Sequence, residues 1–127
     1  MSDRKRISSG SPYEPVIGFC RALRVGERIA VAGTAPVWPD GSCPDDPAAQ
    51  TRRCLEIILA ALHELGAGSA HVVRTRMYLT RAEDWEAVGR AHGEVFKDAR
   101  PVSTMVVVKE LLDPRWRIEI EAEAVLD

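Results

Sequence analysis

The sequence has few cysteines, few histidines and no excess of positive charge, and each of these shortages excludes a class of protein. The three cysteines, at positions 20, 43 and 54, are odd in number and widely spaced, which argues against a disulfide framework. They combine with none of the three histidines in a zinc-ligand spacing, so no metal site is expected. The net charge of -2 provides no general attraction to nucleic acid.

Long apolar runs are also missing, and no stretch approaches the roughly 20 residues of a transmembrane helix. The charged opening residues are followed by no apolar segment, which predicts that there is no secretory signal. With 127 residues, of which 46% are hydrophobic and 28% are charged, the chain fits one globular domain. We therefore expect a soluble, cytoplasmic protein with no membrane partner.

The first part of the chain predicts a lead-in segment and a hairpin. Residues 1–18 contain several Ser, Gly and Pro residues and are interpreted as the lead-in, with a short edge strand around Arg6 to Ser8. A single domain is predicted over residues 19–127. It opens with two apolar strands on either side of Gly26, which predicts a β-hairpin. Gly33 lies near the end of the second strand, where a glycine permits a close approach to the backbone.

Two amphipathic helices follow this hairpin, with one strand between them. Asp46 is predicted as the N-cap of the first helix, and Gly66 is predicted to end it. The strand covers Val72 to Leu79, and Thr80 is predicted to cap the second helix. The apolar stripe of that second helix consists of Trp85, Val88, His92 and Val95 or Phe96.

The last quarter of the chain is predicted to form two strands joined by a short Asp-Pro turn. In the final strand, apolar residues alternate with Glu119, Glu121 and Glu123. Three carboxylates on one strand face repel one another, so this face must meet water, cations or a partner surface. We expect Glu121 and Glu123 to be structural and to pair with arginines of other strands, namely Arg74, Arg76 or Arg117.

The predicted order of elements is hairpin, helix, strand, helix, strand, strand, which indicates an α+β fold. Two amphipathic helices can cover one face of a single sheet and leave the other face bare. A bare face with both charged and apolar groups is unfavourable in a monomer. The sequence therefore predicts closed cyclic association through that face.

Four motifs occur along the chain: Val31-Ala-Gly-Thr-Ala-Pro36, the helix start at 48–52, the strand at 72–79 followed by Asp84-Trp85, and Ile118-Glu-Ile-Glu-Ala-Glu-Ala-Val125. In this order and spacing they resemble the RidA/YjgF/UK114 family, whose members are also described as endoribonuclease L-PSP-like. The resemblance runs from about Phe19 to the C-terminus. It implies a chorismate-mutase-like fold and a homotrimer with a central barrel, in which a small metabolite binds in the clefts between subunits.

The activity that the resemblance implies is hydrolysis of reactive enamines and imines, such as 2-aminoacrylate, to a 2-keto acid and ammonia. This chemistry requires a cation for the substrate carboxylate and an acid or base that orients water, and no metal or organic cofactor is implied. By position, the catalytic, water-orienting glutamate of the family falls on Glu119. The substrate-binding positions beside it fall on the cleft aromatic Phe19 and on the strand-end residues Ala32, Gly33 and Thr34.

The carboxylate-binding arginine of the deaminating family members falls on Ser103, so the expected cation is missing at that position. Arg100 lies three residues earlier, as in subgroups with an Arg-Pro-x-Ser/Thr-Thr-Met pattern. In a strand, an offset of three residues moves a side chain by about 10 Å and to the opposite face. Two replacements stay open: Arg100 folded back over the cleft, or Arg74 or Arg76 reaching in from an adjacent strand or subunit.

His92, Met105 and Ser103 are the remaining candidate substrate-binding residues, although a packed and hydrogen-bonded position is favoured for His92, and Met105 fits the core as well as the cleft wall. The hydroxyl of Ser103 can donate a hydrogen bond to a ligand. Two functions follow: an enamine/imine deaminase with altered or lost activity, and a non-catalytic trimer that binds a small metabolite. An endoribonuclease is the third and least favoured hypothesis, because neither a basic stripe nor a histidine pair supports RNA cleavage.

Overall fold

The computed structural model describes residues 3–127 as a six-stranded mixed sheet with two long helices on one face. Within these residues the strands Val72–Leu79 and Val102–Val107 run parallel to each other and the other neighbouring strands are antiparallel, and no helix suited to crossing a membrane is found. The helices are α1 (Tyr13–Ile17), α2 (Pro47–Glu64) and α3 (Trp85–Phe96). The strands, in sheet order, are β1 (Arg4–Ile7), β2 (Ala22–Val25), β3 (Arg28–Thr34), β6 (Ile118–Val125), β4 (Val72–Leu79) and β5 (Val102–Val107).

The predicted α+β class is confirmed, but the last two strands of the chain do not pair with each other. β4 lies between β5 and β6 and pairs with both of them. Residues 108–117 therefore form a crossing connection and not a tight hairpin turn. The alternation of residues identifies each strand, whereas the neighbours of a strand depend on how the whole sheet packs.

The segment before the hairpin contains two elements. β1 pairs with β2 and begins two residues before the predicted edge strand. α1 is a short helix that the sequence does not predict, and it ends at Gly18, whose φ of 87° is left-handed. Glu14 of α1 accepts hydrogen bonds from Ser8 Oγ (2.9 Å), from Ser9 N (2.8 Å) and from Ser9 Oγ. Residues 1 and 2 of the predicted lead-in lie outside the described residues.

α2 forms as predicted and covers the centre of the sheet. Its N-cap Asp46 accepts a hydrogen bond from Ala49 N at 3.3 Å, and Pro47 occupies the first helical position. The apolar stripe of the helix is at most 1% exposed at Leu55, Ile58 and Leu62. These three residues share one core with Ile29, Val31, Met77, Ile118 and Ile120 of the sheet.

α3 begins later than predicted. Thr80 does not cap it, because a 3₁₀ turn at Ala82–Asp84 precedes the helix, which starts at Trp85. Trp85 is 61% exposed, so its assignment to the buried stripe is wrong, whereas Val88 is buried as predicted. The helix starts directly after the buried Asp84, whose carboxylate is bound by an arginine from a distant part of the sequence.

That arginine is Arg117, which precedes β6. Its Nε and Nη2 atoms donate to the two carboxylate oxygens of Asp84, at 3.0 and 2.7 Å, and its Nη1 atom donates to Asp45 at 3.1 Å. The predicted pairing of Arg117 with the glutamates of β6 is therefore wrong. Gln50 of α2 is fully buried and accepts a hydrogen bond from Arg117 N at 2.7 Å. The start of β6 is thus anchored to both long helices.

The sheet face opposite the long helices carries ion pairs between β4 and β6, and we call it the open face. Arg74 Nε lies 3.5 Å from Glu123 Oε2. Arg76 Nη1 lies 3.4 Å from Glu121 Oε1 and 3.7 Å from Glu123 Oε1. Tyr78 donates a 2.5 Å hydrogen bond to Glu121. The predicted pairing of these two glutamates with the arginines of β4 is confirmed.

Candidate functional site

Glu119 lies on the open face, opposite Tyr78 of β4, and its carboxylate extends over the backbone of β3 at Gly33. A methyl group at Gly33 would overlap Glu119 Oε2 and would lie 3.3 Å from Glu119 Cδ. Gly33 has no left-handed φ, so the close contact, not the backbone conformation, requires glycine here. The pairing of β3 with β6 shifts register between Val31 and Thr34, which places this contact at an irregular point of the sheet.

Arg21, just before β2, lies next to this contact and is absent from the residues predicted from sequence. Its Nη2 atom donates hydrogen bonds to the carbonyl oxygens of Ala32, at 2.8 Å, and Gly33, at 2.7 Å. Its Nε atom is buried and has no hydrogen-bond partner among residues 3–127. The alternation about the buried Ala22 is the one sequence signal for Arg21, because it places the arginine on the open face. We call Glu119, Gly33 and Arg21 the Glu119 cluster.

Burial and neighbouring charges set the protonation of this cluster. Burial raises the pKa of Glu119, the Arg21 cation opposes that rise, and the negative charge of Glu121 adds to it. Burial also lowers the pKa of Arg21, while the carboxylates of Glu14 and Glu119 act in the opposite direction. The carboxyl group of Glu119 is therefore easier to protonate than an ordinary glutamate.

We expect the raised pKa of Glu119 to make its ionisation destabilising. Because the folded-state pKa lies above the unfolded value, the folded state binds the extra proton, and stability falls as pH rises through this interval. Glu119→Gln should therefore raise the melting temperature at pH 7 to 8, and the difference from wild type should shrink as pH falls towards 4. Thermal unfolding from pH 4 to 8, at one protomer concentration, measures this. A difference that grows as pH falls would contradict the raised pKa.

A second group of polar side chains lies on the helix face of the sheet, and we call it the Ser103 cluster. Ser103 Oγ lies 2.8 Å from Thr75 Oγ1, which lies 2.9 Å from His92 Nε2. The ring of His92 packs on Phe96, with 4.7 Å between the ring centres, and burial lowers the pKa of His92. His92 is therefore favoured as a neutral imidazole in a chain of hydroxyl groups that ends at the exposed Ser103.

The other predicted substrate-binding residues occupy different surroundings. Phe19 is 36% exposed and lines a surface cleft beside Glu14. Thr34 is fully buried and donates its hydroxyl to Ala32 O at 2.8 Å, so it offers no free hydroxyl to a substrate. Ala32 enters the Glu119 cluster through its backbone carbonyl. Met105 lies on the helix face, with its Cε 3.9 Å from where a methyl on Gly89 would lie.

The two clusters cannot meet within one chain. Ser103 pairs with Thr75 and Glu119 pairs with Tyr78, so they are separated by three residues along β4, roughly 10 Å. They also lie on opposite faces of the sheet, because Thr75 and Tyr78 differ by an odd number of residues. A single substrate can touch both clusters only if they come from different copies of the chain.

The predicted replacements for the missing arginine do not lie at Glu119 of the same chain. Arg74 and Arg76 bind Glu121 and Glu123 of β6. Arg100 precedes β5, with a left-handed φ of 49°, and its side chain makes no ion pair or hydrogen bond within residues 3–127. It lies at the end of the sheet where Val102 pairs with Arg74, about four residues from the level of Glu119, or roughly 13 Å. Among the same residues, no His, Cys, Asp and Glu group is arranged to hold a metal ion.

Comparison with known proteins places the chain in a family. The family model described as Endoribonuclease L-PSP matches residues 10–126. SCO2049 of Streptomyces coelicolor is 41% identical over 121 residues, 94% of this chain and 90% of its own length. The RutC family protein PYRAB12510 of Pyrococcus abyssi is 32% identical over 88% of this chain and 87% of its own length.

The same family emerges from the comparison of structures. The crystal structure of Rv2704 from Mycobacterium tuberculosis, a member of the YjgF/YER057c/UK114 family, matches with a TM-score of 0.90 and 44% identity. The match covers 98% of this chain and 100% of that chain. The fold and the sequence thus agree over nearly the whole length of both proteins. The chain therefore belongs to the YjgF/YER057c/UK114 family, which is also called the RidA or endoribonuclease L-PSP family.

Proposed function

We propose that the protein is a cofactor-independent hydrolase of small enamines and imines, which it converts to 2-keto acids and ammonia. The observation that carries this proposal is the environment of Glu119. Its half-buried carboxyl group lies over Gly33 and beside the Arg21 cation, and burial raises its pKa. Such a group holds its proton to a higher pH than an ordinary glutamate and can also release it, as general acid and base catalysis requires.

Glu119 can protonate a carbon of the substrate and can then deprotonate the water that attacks the substrate. As the acid, it donates a proton to the methylene carbon of 2-aminoacrylate, which becomes the iminium of the 2-keto acid. Water then adds to C2, and the carboxylate of Glu119 accepts the proton that this water loses. In the resulting carbinolamine the hydroxyl proton passes to the amino nitrogen, the C–N bond breaks, and ammonia leaves as the C2–O bond becomes the carbonyl of the keto acid. The glutamate ends the cycle in its starting protonation state, so no other reactant is needed.

We place the site between subunits of a closed homotrimer. The Glu119 cluster and the Ser103 cluster lie on opposite faces of one sheet, which favours a site built from two chains. β5 is an edge strand, and its residues Val102, Val106 and Val107 are 58%, 43% and 54% exposed. A neighbouring copy whose β5 edge packed beside Glu119 would cover this apolar surface, and repetition of a head-to-tail contact closes a ring. A stable monomer at micromolar concentration, measured by light scattering, would exclude this arrangement.

The experiment that tests the activity uses the wild-type protein in a coupled assay. A dehydratase generates 2-aminoacrylate or 2-iminobutyrate from serine or threonine, and the release of the keto acid is followed with and without the protein. We expect release faster than in buffer alone. No acceleration with either substrate would overturn the proposed hydrolase activity.

A second candidate function, binding of a small metabolite without hydrolysis, is favoured by one observation. Ser103 occupies the position that the family resemblance assigns to the carboxylate-binding arginine. This candidate gains support if the assay shows no acceleration while a keto acid still binds. Ribonuclease activity is not proposed, because Arg74 and Arg76 of the open face are paired with Glu121 and Glu123.

Gly33→Ala should reduce activity with little loss of stability. The added methyl group overlaps the end of the Glu119 side chain, which can move away, so the cost to folding is small while the carboxylate is displaced. We expect kcat/KM for imine hydrolysis to fall by about tenfold. Gly93→Ala in α3 is the matched control, since a methyl there contacts nothing within 4 Å. Equal activity of the two variants would show that the contact at Gly33 does not matter.

A further inference from the structure

An imino-acid substrate carries a carboxylate, and the Glu119 cluster contains a cation that could bind it. We propose that Arg21 binds the substrate carboxylate beside Glu119 and replaces the arginine that the family resemblance expects at position 103. This inference rests on the proposed function for the identity of the substrate. Binding of an anion at Arg21 can nevertheless be measured separately from hydrolysis.

The guanidinium of Arg21 is fixed in place from one side. Both hydrogen bonds of Nη2 go to the carbonyl oxygens of Ala32 and Gly33, and a Cβ on Gly33 would meet the Glu119 carboxylate. The Nη1 atom donates no hydrogen bond to any residue from 3 to 127, in contrast to Nη2. Because Nη2 is held by two carbonyl oxygens and Nε is buried, Nη1 is the donor of this guanidinium left for a ligand, and a carboxylate accepts a charge-assisted hydrogen bond from it.

Other arginines are poorly placed for this task within the chain. Arg74 and Arg76 already form ion pairs with Glu121 and Glu123, and these pairs would have to break before either arginine could bind a substrate carboxylate. Arg24, three residues after Arg21, donates Nη1 to Leu65 O at 2.8 Å and Nε to Gly26 O at 2.8 Å. It therefore lies on the helix face, away from Glu119.

The charges around Arg21 fit an anionic ligand that arrives beside a protonated acid. Glu14 and Glu119 are the carboxylates whose charges act on Arg21, and Ser8 and Ser9 already donate hydrogen bonds to Glu14. When Glu119 holds a proton, its negative charge is removed, and the positive charge of Arg21 becomes available to the substrate. The same two residues would then hold the substrate at its carboxylate and at its reacting carbon.

Calorimetric binding of two probes tests this assignment. The probes are 2-oxobutanoate and its uncharged methyl ester, each titrated into the wild-type protein and into Arg21→Gln, Arg21→Lys and Arg24→Gln. We expect wild type and Arg24→Gln to prefer the acid over the ester. Arg21→Gln should bind the acid at least about tenfold more weakly with the ester unchanged, since a charge-assisted contact is lost. Arg21→Lys keeps the charge and should recover part of the preference.

Circular dichroism and the assembly mass of each variant check that it is folded. An Arg21→Gln protein that keeps the full preference for the acid overturns the inference, and so does loss of that preference in Arg100→Gln alone. A wild-type protein that binds the two probes equally also overturns it. By contrast, absence of keto-acid release in the dehydratase assay, with an Arg21-dependent preference for the acid, overturns the hydrolase activity and leaves the inference intact.

Discussion

Replacing Glu119 by glutamine is expected to lower kcat/KM for 2-iminobutyrate hydrolysis by about 100-fold or more. Glutamine keeps the size of the side chain over Gly33 but can neither donate a proton to carbon nor accept one from water, and a positioned acid or base contributes roughly 10²- to 10⁴-fold. The coupled dehydratase assay measures the effect. The loss should appear mainly in kcat, because the glutamine still fills the same space.

Glu123→Gln is the matched control for this prediction. Glu123 lies on the same face of the same strand, but its carboxylate is bound by Arg74 and Arg76 and lies at the other end of β6. Its replacement should leave kcat/KM within about twofold of wild type, because half-exposed ion pairs contribute little. If both variants lose activity equally, the effect belongs to the charge of the open face as a whole and not to Glu119.

Much of the fold follows from local patterns in the sequence. Asp46, Pro47 and Gly66 mark the two ends of α2 because capping and backbone conformation act over a few residues. The alternation in β6 places Ile118 and Ile120 in the core and the glutamates on the open face, because the period of a strand is two. Both features depend only on neighbours in the chain, so sequence alone predicts them correctly.

The features that sequence does not predict depend on contacts between distant segments. Thr80 has the side chain of a helix cap, yet the cost of leaving Asp84 and Arg117 unpaired decides where α3 begins. The insertion of β4 between β5 and β6 likewise depends on the whole sheet. The preference for Thr80 as a helix cap is about 1 kcal/mol, which is smaller than the cost of leaving the buried Asp84 and Arg117 unpaired.

The candidate site was only partly predictable for the same reason. Glu119 and Gly33 were identified through motifs of the strands that carry them, and they do lie in contact. Arg21 lies 98 positions from Glu119 in the sequence, and only the pairing of β2 with β3 and of β3 with β6 brings them together. The sequence predicts both His92 and Ser103 as candidates but does not predict Thr75, which connects them.

β4 holds the Glu119 cluster and the Ser103 cluster apart. Thr75 of β4 belongs to the Ser103 cluster, and Tyr78 of the same strand is paired with Glu119 of β6. β4 lies between β6 and the edge strand β5, and its residues Met77 and Leu79 are buried in the core, so neither cluster can move towards the other without disrupting that core. A site that needs both clusters therefore has to be completed by another copy of the chain.

Removal of the Asp84 carboxylate is expected to destabilise the protein by about 2 to 3 kcal/mol. Asp84 binds two nitrogens of Arg117, and the two side chains are only 5% and 15% exposed. Asp84→Asn places an amide group against these donors and leaves much of the arginine charge without compensation, although Asp45 still contacts Nη1. Urea unfolding gives the change in free energy, and it is measured at one fixed protomer concentration because the stability of the proposed assembly would depend on concentration.

Asp113→Asn is the control with the same chemistry at the surface. Asp113 also binds Nε and Nη2 of an arginine, Arg115, at 3.2 and 2.9 Å, but the Arg115 side chain is 54% exposed. Water replaces the lost contacts there, so the urea midpoint should barely change. Because Arg117 lies two residues before Glu119, Asp84→Asn should also lower imine hydrolysis in the folded protein, whereas Asp113→Asn should not. Equal unfolding midpoints for the two variants would show that burial does not make the Asp84–Arg117 pair more stabilising than the exposed Asp113–Arg115 pair.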